Sequence, residues 1–157
     1  MSSSTFPQTS NEIGDFIEAE VIDRLPLEAV DDTEAIWYDA RVSHHISMGT
    51  VDLSDVLTLE RGTPVEIKGA RYRVQPRPRR GRFYIKQGAH ERLIDVEGVY
   101  CFVVYDEQLL ATAWRRAEAI DELLGSWIEV NRSHSPYAQL AWSRVIPPKI
   151  VNGGGRA

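Results

Sequence analysis

Residues 99–105, VYCFVVY, are seven apolar or aromatic residues in a row between Gly98 and Asp106. The run is far too short to cross a membrane, which takes about 18 apolar residues or more. It also lacks the alternation of a strand with one wet face. It predicts a strand buried on both sides, and so a sheet covered by helices on each face. No other segment of the 157 residues approaches a membrane span, and 43% of the chain is hydrophobic. That is enough for one domain with one real core.

The flanking segments fill in such a sheet. NEIGDFIEAEVIDRL places Ile13, Phe16, Ile17, Val21 and Leu25 at helical spacing with acids between them. It predicts an amphipathic helix over 11–25, capped near Asn11 and stopped by Pro26. EAIWYDARVSHH is ambiguous: Trp37 and Tyr38 suit a strand or the end of a short helix. DVLTLERGTPVEIKGARYRV reads as a β-hairpin, with strands over 56–59 and 65–74 and ERGTP as the turn. QPRPRRG breaks regular structure, because two prolines and a glycine do not sit in a central strand. RFYIK is a third short strand and GAHERLIDV a helical turn or two. TAWRRAEAIDELLGSW predicts a second clear helix from a Thr112 cap to Gly125. AQLAWSRVI closes the pattern as an edge strand. The expected fold is α/β, a mixed sheet flanked by helices. One domain is expected over 11–146, with loose tails at 1–10 and 147–157.

The charge is unevenly spread. Residues 1–67 hold 14 acidic and 3 basic residues, whereas residues 68–92 hold 9 basic and 1 acidic. Seven of those nine are arginine, whose planar fork pairs phosphate, so the segment reads as a phosphate-binding surface rather than a merely solvated loop. The only cysteine, Cys101, lies in the apolar run and reads as a small buried hydrophobe. With no disulfide possible within the chain and no basic, apolar leader at MSSSTFPQTS, the expected compartment is the cytoplasm.

VEIK, residues 65–68, carries the chemistry. Val65 and Ile67 point to one face of a strand, and Glu66 and Lys68 to the other, roughly 6–7 Å apart. Past Gly69 the alternation flips, which predicts a bend or bulge there. Asp55 opens the first hairpin strand, and a tight hairpin would bring it towards Glu66 and Lys68. Two carboxylates and a lysine on neighbouring strands suit Mg²⁺, a hard cation that takes oxygen ligands and keeps several waters. The metal would activate a bound water, and the lysine would orient it or steady charge on the phosphorus oxygens.

Asp55, ten intervening residues and then Glu66-Ile67-Lys68 in an apolar setting resemble the PD-(D/E)XK nuclease superfamily, which includes restriction endonucleases and archaeal Holliday-junction resolvases. The order of elements over 11–105 is similar as well. The resemblance implies a restriction-endonuclease-like fold, with Asp55 and Glu66 as metal ligands, the Ile67 carbonyl as a further ligand and Lys68 as the catalytic lysine. Mn²⁺ is the expected substitute for Mg²⁺. Many members add an acid from the first helix, and Glu12, Glu18 and Glu20 all qualify. Ser54 stands where the family often has proline, and Asp52 rivals Asp55 for the first ligand.

Arg71, Arg73, Arg77, Arg79, Arg80, Arg82, Lys86 and Arg92 follow the lysine strand and are expected to hold a DNA backbone. Such contacts carry no sequence information. Tyr72 and Tyr84 read as packing residues before stacking platforms, and His90 as a structural hydrogen-bonder. His44 and His45 are poor co-ligands, since neighbours on a strand face opposite ways. Trp114, Leu123, Leu124 and Trp127 give the late helix an apolar face, read as core; if exposed, it would serve a homodimer, as in related resolvases. The expectation is a Mg²⁺-dependent endodeoxyribonuclease, structure-selective in the manner of a resolvase. The rival readings are a non-catalytic DNA-binding adaptor of the same fold, and an interaction domain with no nucleic-acid role.

Overall fold

The computed structural model describes residues 9–31, 37–43, 46–47, 58–74, 80–129, 135–149 and 151. Helix α1, Ser10–Arg24, starts one residue earlier than its pattern suggests, because the Thr9 side chain accepts from the Glu12 N–H at 3.3 Å. This is an N-cap, and it displaces Asn11 from that role. Ile13, Ile17 and Val21 form the buried face of α1. The helix packs on strands β1 (Leu27–Ala29) and β5 (Pro64–Arg71).

Three further strands complete a five-stranded sheet in the order β1, β2, β5, β7, β8. They are β2 (Ala40–Val42), β7 (Val99–Tyr105) and β8 (Leu109–Arg116). The β5–β7 pair is parallel and the others antiparallel, so the sheet is mixed, as expected. Every residue of β7 except Tyr105 is buried, which is what its unbroken apolar run requires. Between β5 and β7 the chain passes through strand β6 (Arg82–Lys86) and helix α2 (Gln87–Asp95). β6 leaves the main sheet and pairs antiparallel with β9 (Tyr137–Ala141) as a two-stranded ribbon. Phe83 of β6 packs on Phe102 of β7 with ring centroids 4.4 Å apart, fixing the ribbon over the sheet.

Three expectations fail. Among the described residues the pairing is not the expected hairpin: β4 (Thr58–Leu59) pairs with β3 (Ile46–Ser47), and the antiparallel neighbour of β5 is β2. The bulge at Gly69 is also missing, since β5 keeps one register with β7 from Val65 to Arg71. Gly69 has a different reason. A Cβ there would lie 2.9 Å from Ile17 Cδ1, so the glycine admits α1 to the sheet. Finally, residues 109–116 are strand and not helix, with Trp114 opposite Cys101 and only a short α3 (Ala117–Asp121) following. Pairing along the most buried strand overrides the helical spacing of those residues. Trp114 is buried, and Leu123, Leu124 and Trp127 pack against the core, which is the core role read from the sequence although Trp114 lies on a strand. Among the described residues no helix is long and apolar enough to cross a membrane.

Candidate active site

The site opens where two strands part. β2 pairs with β5 only through Ala40 with Val65 and Arg41 with Pro64. From Glu66 onward that edge of β5 has no strand partner among the described residues. Its backbone is satisfied by a side chain instead: the Ile67 N–H donates to Asp39 Oδ2 at 2.7 Å. The Asp39 N–H in turn donates to the Val65 carbonyl at 2.9 Å. Asp39 is therefore held to the backbone on both sides of Glu66, and a partly buried edge amide with no strand partner among the described residues is paired.

Around this clamp three acids and a lysine gather. Lys68 Nζ lies 3.2 Å from Glu66 Oε2, with the two side chains 23% and 13% exposed. The Glu66 carboxyl is pushed well above the ordinary carboxylate range, first by burial and then by Asp39, with which it shares a hydrogen bond; Lys68 opposes the shift. Glu18, on the helix turn above, is pushed up to about 7 by burial, by Asp39 and by Asp15. These residues, with Arg71 and Tyr105, line a cleft of about 670 Å³. The Arg71 guanidinium sits 5.1 Å from the Tyr105 ring centre. Acids crowded enough to hold protons against their ordinary pKa are a common mark of a functional cleft.

The expected residues divide as follows. Glu66, Ile67, Lys68 and Arg71 all line the cleft, and of Glu12, Glu18 and Glu20 it is Glu18 that lines it and feels the Asp39 charge. Asp52, Asp55, Arg77 and Arg79 lie outside the described residues. Arg73 lies over the Tyr72 ring and Arg80 over Trp142, at 5.2 and 5.6 Å. Arg82 and Lys86 stand on the exposed face of β6. Arg92 faces elsewhere: it lies over Trp37 and lines a separate cleft with Arg41, Arg116, Glu60, Glu97 and Glu118. His90 is buried, with Nδ1 2.7 Å from the Tyr100 hydroxyl and Nε2 2.9 Å from Asp121 Oδ1. It is the structural hydrogen-bonder its surroundings suggest.

Asp39 is the residue the sequence pattern missed. Its signal was present in IWYDARV, an acid between an aromatic pair and a short β-prone run. It stands 27 positions before Glu66, however, and nothing local ties the two together.

A family model described as the PD-(D/E)XK nuclease superfamily domain matches residues 4–147. A search of curated proteins and a search of solved structures each returned no match.

Proposed function

The chain belongs to the PD-(D/E)XK nuclease superfamily, and from that premise we propose that it is a Mg²⁺-dependent nuclease hydrolysing DNA phosphodiester bonds. The observation that carries this reading is the pairing of Asp39 with Glu66 and Lys68 at the point where β2 leaves β5. In it Asp39 takes the part that the sequence pattern assigned to Asp55.

The donors suit the metal. The Asp39 and Glu66 carboxylates and the Ile67 carbonyl are hard oxygen ligands, and Glu18 adds a further acid at the rim. Burial first, and neighbouring acids after it, raise the Glu66 and Glu18 carboxyls, and a bound dication would oppose that shift. Among the described residues no three His, Cys, Asp or Glu side chains form a ready cage. Mg²⁺ needs none, because it binds through one or two carboxylates and completes its shell with water and substrate phosphate. Mn²⁺, which takes the same ligands, is the expected substitute.

When bound, the metal lowers the pKa of a water and stabilises charge on the phosphoryl group. The chain supplies the rest. Asp39 and Glu66 would hold the metal at the open edge of β5. Lys68, tethered by Glu66, orients the nucleophile and neutralises charge that builds on the phosphorus oxygens. Arg71 at the cleft wall binds an adjacent phosphate and sets the scissile one in line. Arg73, Arg80, Arg82 and Lys86 extend the cationic path from the cleft. Phosphate contacts without base-reading elements favour selection of DNA by shape, as at branch points.

The test is cleavage of labelled duplex, flap and four-way-junction DNA with Mg²⁺ by the native chain and by Lys68→Ala. Cutting that is lost on metal removal and in the variant supports the proposal. Salt-sensitive binding by the native chain with no cutting of any substrate would leave a DNA-binding adaptor of the same fold.

A further inference from the structure

The outer face of the β6–β9 ribbon is unlike an ordinary solvated sheet surface. Along β6 the side chains alternate strictly: Phe83 and Ile85 are buried, while Arg82, Tyr84 and Lys86 are exposed. Tyr84 lies opposite Gln139 and Lys86 opposite Tyr137. Tyr84, at 56% exposure, stacks on Tyr137 with ring centroids 5.6 Å apart and planes 15° from parallel. Arg82 is steadied at the other end by Gln139, Nη1 to Oε1 at 2.9 Å. Two stacked aromatic rings thus sit between a guanidinium and an ammonium, all on one face. The core makes no use of them, since the inner face of β6 already packs on Phe102.

The platform joins the cleft. The Gly81 N–H donates to the Arg71 carbonyl at 3.0 Å. The approach is so close that a Cβ on Gly81 would fall 2.3 Å from that oxygen. Arg71 lines the cleft, so Arg82 begins where the cleft wall ends. Tyr84 follows about 7 Å further along the strand. The ribbon also covers the face of the sheet that carries Lys68, since Phe102 is the cross-strand neighbour of Lys68.

We propose that this face holds an unpaired strand of the substrate, one base stacking on Tyr84 while Arg82 and Lys86 take the flanking phosphates. The substrate class is then DNA in which a single-stranded arm adjoins the cleaved duplex. The inference rests on the DNA-nuclease reading and narrows it. Stacking singles out the unpaired strand, because base faces within a duplex are already covered by their neighbours. An acidic peptide would satisfy the two cations and leave the rings unused; a nucleotide uses both.

The experiment measures binding without cleavage. The full chain, with chelator in place of metal, is titrated into a fluorescent blunt duplex and into the same duplex carrying a single-stranded arm with 2-aminopurine. The native chain is expected to bind the armed DNA more tightly and to quench the 2-aminopurine. Tyr84→Ala should lose about tenfold in affinity for armed DNA, within the range of one base–aromatic stack, and should lose the quench. Its affinity for blunt duplex should not change, and Tyr84→Phe should retain both the affinity and the quench. Equal binding of armed DNA by Tyr84→Ala and native chain overturns the inference. So does an equal loss on both DNAs, or Tyr84-dependent binding of polyglutamate instead of DNA. The two readings fail separately. Tyr84-dependent capture of armed DNA that is never cut with Mg²⁺ keeps the platform and removes the nuclease. Cutting that is indifferent to Tyr84 does the reverse.

Discussion

The Asp39 carboxylate closes the open edge of β5 by accepting the Ile67 N–H at 2.7 Å. One side chain thereby serves the backbone and stands beside Glu66. The two duties separate on mutation. Asp39→Asn keeps an oxygen acceptor for the Ile67 amide and removes the charge. It should fold with stability within about 1 kcal/mol of native while its Mg²⁺ affinity falls by roughly 100-fold or more. Asp39→Ala also strands a partly buried amide, which costs about 1–3 kcal/mol. Denaturant unfolding and metal titration on the two variants check both halves.

Glu66 and Glu18 make the metal-free protein sensitive to pH. Both carboxyls are raised in the fold, Glu18 to about 7 from an ordinary 4.5. A raised folded pKa means that the native state holds the proton more tightly than the unfolded chain. Its contribution to stability is therefore complete below about pH 4.5 and is lost as pH rises through the folded values. These groups should make the melting temperature fall between roughly pH 5 and 8 when chelator is present. Mg²⁺ should flatten that fall, because it binds the deprotonated carboxylates, and its own affinity should rise over the same interval. Thermal unfolding across pH with and without Mg²⁺ is the check. A melting temperature that rises across this interval with chelator present would contradict it.

Cys101 is fully buried in β7, and burial pushes its thiol up to about 12. The thiolate is the reactive form, so a thiol reagent at pH 8 should label the native chain only as fast as it opens, and label it fully in denaturant. Rapid labelling under native conditions would contradict the position of β7 at the centre of the sheet.

Gly81 has no room for a methyl group, because its ideal Cβ would lie 2.3 Å from the Arg71 carbonyl oxygen and 2.8 Å from the Arg71 nitrogen. Both are backbone atoms and cannot rotate away. Gly81→Ala should cost about 1–3 kcal/mol, read as a lower denaturant midpoint. Gly14→Ala, where nothing lies within 4 Å, is the control and should lose nothing.

The parts legible in the sequence are those fixed locally. VYCFVVY had no plausible place except a strand covered on both faces, and VEIK declared its two faces by alternation. The helix at 10–24 followed from periodicity to within a residue, and the helix at 87–95 falls on the segment that offered a turn or two. The parts that were not legible depend on distant partners. Residues 112–121 satisfy helical spacing, yet 109–116 are claimed by β7, whose buried edge offers a full run of pairings. Asp55 lies outside the described residues; the strand that meets β5 among those described comes from Ala40–Val42, far off in sequence, and it brings Asp39. The Tyr84–Tyr137 pair was not legible because alternation shows that a ring faces outward and not that a second ring stacks beneath it.

Single-turnover cleavage of a labelled armed duplex with Mg²⁺, comparing the native chain with Asp39→Asn, Lys68→Ala and Asp55→Asn, tests the account most directly. It predicts cutting by the native chain and by Asp55→Asn, with a loss of at least about 100-fold in Asp39→Asn and in Lys68→Ala. Cutting that survives in Asp39→Asn and disappears in Asp55→Asn would contradict it.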